Sequence, residues 1–506
     1  MGFAKVFSIA VCGIKVHHVT VEVHVAPGLP HFSIVGLPDT EVKESRERVR
    51  SAIQNSGYEF PARRIVVNLA PADLPKESGR YDLPIAVGVL LAANIITSKV
   101  DCSDHIFAGE LALDGHLRCT NGLLSSVLGY DNDSDSFIIP LDNVLELNFL
   151  DGLKVLGATC LNDVVSYLQN KMKLFHNLVS KGEILSIASD LQIVDFANIK
   201  GQIAPKKALE IAAAGRHSML MYGPPGCGKS LLARSIISIL PQLTYAEAVQ
   251  VASIYANSSV GFSRKLWRNI PFRVPHHTIS TSAMVGGGLT PKPGEVSLSH
   301  NGILFLDELP EFSRQVIEVL REPLENKVVT ISRNKYKVNF QADFQLITAM
   351  NPCPCGNYGN NLIYCSCTKE QRMRYNAKIS APIRDRIDLV VPVQMVKPSE
   401  LILETQCESS AMVAERVLRA REIQLSRQGK LNYMLSNAEL ELYCEMSKKV
   451  KEHAINIVDR QNLSVRSYHR MLKLALTIRD LAGILEAPLS MQDISLASFY
   501  RTNYIS

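Results

Sequence analysis

Gly223-Pro224-Pro225-Gly226-Cys227-Gly228-Lys229-Ser230 fills the pattern G-x-x-x-x-G-K-[ST] at every fixed position. The glycines allow successive backbone N–H groups to converge on phosphate oxygens, and a helix after the loop adds its positive end. Lys229 is placed to reach the β- and γ-phosphates and the Ser230 hydroxyl to ligate Mg²⁺. The flanks supply the context that a chance glycine-rich turn lacks. Ser218–Tyr222 reads as a buried strand before the loop, Ser230–Leu240 as a helix after it, and Ile203–Ala214 as a helix before the strand. Gly223 to Ser230, with Leu231 after them, form the expected nucleotide-binding set.

Downstream, Gly302-Ile303-Leu304-Phe305-Leu306-Asp307-Glu308 carries four apolar residues into two carboxylates. A buried strand delivers such acids to its exposed end, where Asp307 can hold the Mg²⁺ shell and Glu308 can polarise the attacking water. By itself the pattern also suits a strand ending in surface acids. A third apolar run, Phe344–Ala349, ends at Asn351, which on its own reads as a turn former or as an amide facing the γ-phosphate.

Bulk properties frame these motifs. At 506 residues the chain exceeds a single core, and 46% apolar with 20% charged residues describes an ordinary globular protein. The net charge of +5 is too small to diagnose a nucleic-acid partner. No apolar run is long enough to span a bilayer, and the Val6–Cys12 stretch reads as strand rather than signal peptide, so no membrane partner is expected. Seven of the 11 cysteines are scattered, whereas Cys353, Cys355, Cys365 and Cys367 cluster. A nucleotide site without an export signal places the chain in a reducing, cytoplasmic setting, where clustered thiols favour a metal over disulfides. Two C-x-C pairs separated by nine residues can offer four thiolates to a structural Zn²⁺ beyond Asn351. The alternative is four unliganded thiols.

Residues 1–168 read as alternating strands and helices: Val19–Val25, Phe32–Val35 and Ile65–Leu69 as strands, Glu44–Asn55 and Leu83–Ala93 as helices. The pattern weakens over 169–194, expected as a connection. A nucleotide-binding core is expected over 195–398 and a helical region over 399–506.

GPPGCGKS, GILFLDELPEF, ITAMNPCPCG, APIRDRIDL and LSVRSYHRMLKLALTIRDLAG occur in the order found in the magnesium-chelatase-like AAA+ ATPases. Within them the chain most resembles the YifB/ComM group, over nearly its whole length. The resemblance implies an α/β chain: a Lon-protease-like α+β N-terminal domain, a P-loop AAA+ core and a small C-terminal helical lid. It implies Asn351 as sensor 1, Arg386 as an arginine finger entering a neighbour's site, and Arg466 as sensor 2, with Arg384 and Arg470 as second choices. A surface ion-pairing arginine is the plain alternative for each. It further implies ATP hydrolysis with Mg²⁺ in a homo-hexamer. The expected work is branch migration on single-stranded or branched DNA, supporting recombination of incoming DNA in natural transformation. The rival reading is a chelatase-type ATPase driving metal insertion or protein remodelling.

Two segments resemble additions found in this branch. Pro271–Thr278 with Gly286–Gly288 resembles the helix-2 insert. Val328–Phe340 alternates like a hairpin and resembles the pre-sensor-1 element, with Arg333, Lys335 and Lys337 able to grip phosphates without reading sequence. Lysines also protect an edge hairpin from aggregation. In the N-terminal region, a Ser/Lys protease dyad is expected to be absent: Arg80, Tyr81 and Asp82 occupy the nucleophile region and Leu124 the lysine position, with Ser78 nearby but unassisted.

Overall fold

A long β-ribbon begins the chain. Strand β1 (Gly2–Cys12) pairs antiparallel with β2 (Lys15–Ala26), from Gly2 opposite Val25 to Cys12 opposite Lys15. Val19, Val21, Val23 and Val25 alternate along β2 and are all buried, which fixes its register because a one-residue slip would turn them outward. The computed structural model describes residues 2–12, 15–36, 39–72, 74, 76, 79–120, 122–130, 136–147, 154–176, 194–288, 291–333, 336–359, 363–396, 407–461, 463–484 and 488–501. They fall into two compact units, residues 1–188 with 249–267 and 332–339, and residues 189–248, 268–331 and 340–506.

In the first unit β3 (His31–Val35), β4 (Arg64–Ala70), β5 (His105–Phe107), a small ribbon of β6 (Glu110–Leu111) and β7 (Leu117–Arg118), β8 (Ser136–Pro140), β9 (Val155–Ala158) and β10 (Phe175–His176) follow. Eight of these strands form one mixed sheet in the order β10-β9-β8-β5-β1-β2-β4-β3. The helix Asp82–Ala92 is apolar all round and buried along nearly its whole length, as expected of a helix enclosed by the core. Gly88 lets it lie close to β2, since a Cβ there would stand 2.6 Å from Val23 Cγ2. The sheet corrects the expected boundary at 168: β9 and β10 pair through Gly157 and Phe175, so the N-terminal fold reaches at least His176. Residues 177–193, the rest of the expected connection, lie outside the described residues, as does Ser78.

The second unit is built on a wholly parallel five-stranded sheet. Its strands are β11 (Met219–Tyr222), β12 (Phe272–Arg273), β15 (Ile303–Leu306), β18 (Gln345–Met350) and β19 (Leu389–Pro392), in the order β12-β15-β18-β11-β19. Here β13 (Gly286–Gly287) and β14 (Lys292–Pro293) form a separate antiparallel ribbon; β16 (Val328–Arg333) and β17 (Tyr336–Gln341) make a hairpin whose residues 332–339 belong to the first unit. The expected insert is therefore narrower than Pro271–Gly288. Phe272–Arg273 pairs with Ile303–Leu304 as the edge of the main sheet, and the ribbon reaching Pro293 is what stands apart.

The helices Ser410–Gln428 and Val465–Leu481 contribute Val413, Val417, Met471, Leu474 and Ala475 to the core that also holds Ala208, Leu209, Met219 and Phe305. The helical region expected over 399–506 thus shares one hydrophobic core with the sheet and does not form a compact unit of its own. Among the described residues no helix is long and apolar enough to cross a membrane.

Candidate nucleotide site

β11 is the first strand of its sheet in sequence, and its neighbours β18 and β19 come later on either side, so the chain order switches direction beside it. Crevices at the carboxyl ends of strands at such a point are where open α/β sheets bind ligands. The loop after β11 occupies that position. Gly226 and Gly228 adopt φ of +77° and +91°, conformations that a side chain would strain. A Cβ on Gly223 would lie 2.0 Å from the Val393 carbonyl oxygen, so the loop's first residue is glycine for lack of room. The helix Lys229–Ser235 starts at the motif lysine, and the chain then tightens into a 3₁₀ turn over Ile236–Ile239 rather than continuing as one helix to Leu240.

The predicted catalytic groups from three strands converge there. Lys229 Nζ donates to the carbonyl oxygens of Gly223 at 2.7 Å and Pro224 at 2.9 Å, and to Asn351 Oδ1 at 3.2 Å. Ser230 Oγ donates to Asp307 Oδ2 at 2.6 Å. A hydroxyl and a carboxylate this close form the hard oxygen pair that Mg²⁺ accepts. Glu308 follows with φ +53°, a left-handed turn rare for a side-chain-bearing residue, and its exposed carboxylate faces the same crevice. Pro225, Gly226, Gly228, Lys229, Ser230, Leu231, Asp307, Glu308 and Asn351 all border this cavity of about 320 Å³. Cys227 is buried in the core beneath the loop, where its Sγ accepts from Lys229 Nζ at 3.8 Å and burial pushes its thiol pKa up.

Two neighbours escaped the sequence reading. Tyr375 is buried close to Asn351, and burial first, then the charges of Glu311 and Glu308, push its phenol well above the ordinary value. The other is an apolar cavity of about 880 Å³ bounded by Gly201–Lys207, Pro392–Val396 and Phe499. Gln202, itself at φ +54°, ties this cavity to the loop by donating to the carbonyl oxygens of Cys227 at 3.3 Å and Gln394 at 2.6 Å. No periodicity or motif in the sequence marks it.

Arg386 and Arg466 are not brought to the phosphate loop. They meet at the opposite, amino-terminal end of the sheet, separated from the loop by the length of the four-residue strand β11, roughly 13 Å. There Arg386 forms an ion pair with Glu325 and donates to the Pro382 carbonyl at 2.6 Å. Arg466 Nη2 reaches the same Glu325 oxygen at 2.7 Å. Arg386 is only 5% exposed, so the expected finger lies folded against its own subunit rather than projecting. The shared cleft of about 470 Å³ is also lined by Arg216, Lys327, Arg470 and Lys473. Arg470 is held by Asp388 at 2.5 Å, whose carboxyl is kept far below the usual range by that arginine and His217 despite its burial. Arg384 does not join the phosphate crevice either.

The four clustered cysteines do converge. Their Sγ atoms all lie within 4.8 Å of one another. Cys353 stands 3.4 Å from Cys355 and 3.7 Å from Cys365, and Cys355 stands 3.6 Å from Cys365. Four thiolates about 2.3 Å from a tetrahedral zinc would stand about 3.8 Å apart, so the set fits one such ion.

Compared with known proteins, the chain is 43% identical to the uncharacterized protein YifB of Escherichia coli K12, covering 95% of this chain and 94% of that one. It is 42% identical to the competence protein ComM of Haemophilus influenzae, covering 96% and 94%. The chain belongs to the YifB/ComM family. A further YifB, from Salmonella typhimurium, is 43% identical over 99% of this chain and 97% of its own. Three family descriptions match the YifB/ComM chain: "Magnesium chelatase, subunit ChlI" residues 195–401, "Subunit ChlI of Mg-chelatase" 21–143, and "Magnesium chelatase, subunit ChlI C-terminal" 407–501. This YifB/ComM member is thus a magnesium-chelatase-like AAA+ ATPase.

In the first unit Arg80 Nη1 donates to Ser126 Oγ at 3.0 Å, and a Cβ on Gly122 would lie 3.4 Å from the same guanidinium. Asp82 is fully buried and held by Arg48 at 2.7 Å. A structural arginine fills the region where the dyad was sought. Asn334 and Lys335 of the basic hairpin lie outside the described residues, as do the side chains of Arg333 and Lys337.

Proposed function

We propose that this chain is an ATP-driven motor that works on single-stranded or branched DNA as a ring, its catalytic sites shared between neighbouring subunits. The observation that carries this reading is the separation of the catalytic set. Lys229, Ser230, Asp307, Glu308 and Asn351 gather at one end of the sheet, while Arg386 and Arg466 share Glu325 at the other. In this arrangement neither arginine reaches its own loop, and a head-to-tail neighbour would bring the two ends together. Six subunits close such a ring in the proposal.

In this reading the triphosphate lies on the backbone N–H groups of Gly226 to Ser230, with Lys229 transferring its hydrogen bonds from loop carbonyls to phosphate oxygens. The base occupies the apolar cavity beside Gln202, of a size that takes a small ligand. Mg²⁺ held by Ser230 and Asp307 supplies charge neutralisation on the phosphates. Glu308 orients and polarises the attacking water, and Asn351, held by Lys229, fixes that water's position. Arg386 and Arg466 leave Glu325 for the neighbour's phosphates as negative charge builds, a contribution of about 10³–10⁵ in rate for arginine fingers.

The work on DNA rests on kinship with the competence protein ComM and on the basic β16–β17 hairpin, with the thiol cluster suiting a reducing, cytoplasmic site of action and a bound zinc. ATPase rate with and without forked DNA tests it, together with strand displacement from three-way junctions. Stimulation and displacement that both depend on ATP are expected. Equal rates with and without DNA would favour the chelatase-type reading, metal insertion or protein remodelling.

A further inference from the structure

The thiol cluster does not stand alone: its turn is packed against the phosphate loop. Cys355 is followed by Gly356, whose φ is +78° and whose N–H donates to the Cys353 carbonyl at 2.9 Å. A Cβ on Gly356 would lie 2.7 Å from Pro225 Cδ and 3.2 Å from Pro225 Cγ. The turn between the first two thiols therefore abuts the second proline of the nucleotide loop. On its other side Cys353 follows Asn351 by two residues, and Asn351 accepts the Lys229 hydrogen bond. One short segment, Asn351 to Gly356, thus touches the loop at both its lysine and its proline.

The thiols also carry the surroundings of a ligand set. The Tyr358 backbone N–H donates to Cys353 Sγ at 3.3 Å, an interaction that stabilises a metal-bound thiolate. Arg372 donates to the Cys367 carbonyl at 3.3 Å and stacks over the Tyr358 ring at 4.1 Å, pinning the second C-x-C pair to the first. Without a central ion, four thiols packed together offer each other only weak hydrogen bonds. Soft sulfur donors in a closed tetrahedral set select zinc and leave no open position for catalysis.

We infer that Cys353, Cys355, Cys365 and Cys367 hold one zinc ion whose task is to fix Gly356 against Pro225 and Asn351 against Lys229, so that metal occupancy sets nucleotide affinity. The inference rests on the ATP-binding reading and adds to it a metal that acts from outside the phosphate crevice. Displacement of the loop by even an ångström is costly, because its N–H groups must all point at one ligand.

The test uses the full chain. Zinc is counted by mass spectrometry, and affinity is measured by titration with a fluorescent ATP analogue, before and after extraction with a thiol-directed mercurial and chelator. Near one zinc per subunit is expected, with affinity falling roughly tenfold on extraction while circular dichroism stays unchanged. Cys365→Ser is expected to lose zinc and weaken binding by a similar factor; Gly356→Val, which keeps all four thiols, is expected to retain zinc and weaken binding likewise, and it remains informative if Cys365→Ser fails to fold. Purified chain without zinc, or affinity unmoved by extraction and by Gly356→Val, overturns the inference. Failure of the untreated, zinc-loaded chain to bind the analogue would instead overturn the ATP reading on which it stands.

Discussion

Replacing Glu325 by alanine strikes at the coupling between the two displaced arginines. One oxygen of this carboxylate holds both guanidiniums, and those arginines, Arg466 first, keep the carboxyl below its usual pKa. The pair with Arg466 is half exposed on both sides and is worth about 0.2–1 kcal/mol. Arg386 is 5% exposed, and breaking a fully buried pair costs about 3–5 kcal/mol, but Glu325 itself is 43% exposed, which discounts that figure by more than half. The sum predicts a stability loss of about 1–3 kcal/mol, and hence a Tm lowered by a few degrees. The functional effect is expected to be larger, because two arginines that repel each other no longer enter the neighbour's site together. Turnover should fall about 10–100-fold with KM little changed. Glu325→Gln, which keeps one hydrogen bond, should fall between. Steady-state ATPase and calorimetry on the same samples measure both effects. Wild-type turnover in Glu325→Ala would refute the idea that this carboxylate positions the arginines.

Two further outcomes follow from particular groups. Reversing the charge of Arg333, Lys335 and Lys337 should reduce DNA-stimulated but not basal ATPase. It should also lower the salt dependence of DNA binding by about one unit of slope for each phosphate no longer gripped; unchanged stimulation contradicts a role for the hairpin. Burial lowers the His300 pKa to about 4, while its Nδ1 accepts the Asp343 backbone N–H at 3.1 Å. Its folded pKa lies below the unfolded value near 6.5, so the neutral form's stability is fully present above that value. It is lost as pH falls toward 4, amounting to about 3 kcal/mol. His300→Gln should flatten that part of the pH–stability curve measured by denaturant unfolding, and an unchanged slope would show that His300 is not the group responsible.

The parts of the site that were legible in the sequence are those dictated locally. Gly226 and Gly228 are glycine because of φ, Ile303–Leu306 is apolar because both faces of β15 are covered, and Val19 to Val25 alternate because only one face of β2 is. The convergence of the two C-x-C pairs was legible for the same reason, since thiols spaced so closely in the chain are readily brought together. Hidden from the sequence were interactions across long separations. Nothing in the patterning near Glu325 announces that it will hold Arg386 and Arg466, nor does any motif place Gly356 on Pro225. Phe272–Arg273 is absent from the sequence reading as a strand because a two-residue edge has no period to read. The boundary at 168 failed similarly, as β10 contributes only Phe175 and His176.

Each catalytic site, in the proposed ring, takes its phosphate loop from one subunit and its arginine from the next, and the roles given to Arg386 and Arg466 depend on that sharing. Mixing two inactive variants, Lys229→Ala and Arg386→Ala, tests it directly. Random assembly gives about a quarter of the junctions an intact loop facing an intact arginine, so the mixture should recover about that share of wild-type ATPase. A mixture as inactive as its components would place loop and arginine in the same subunit and rule out a shared site.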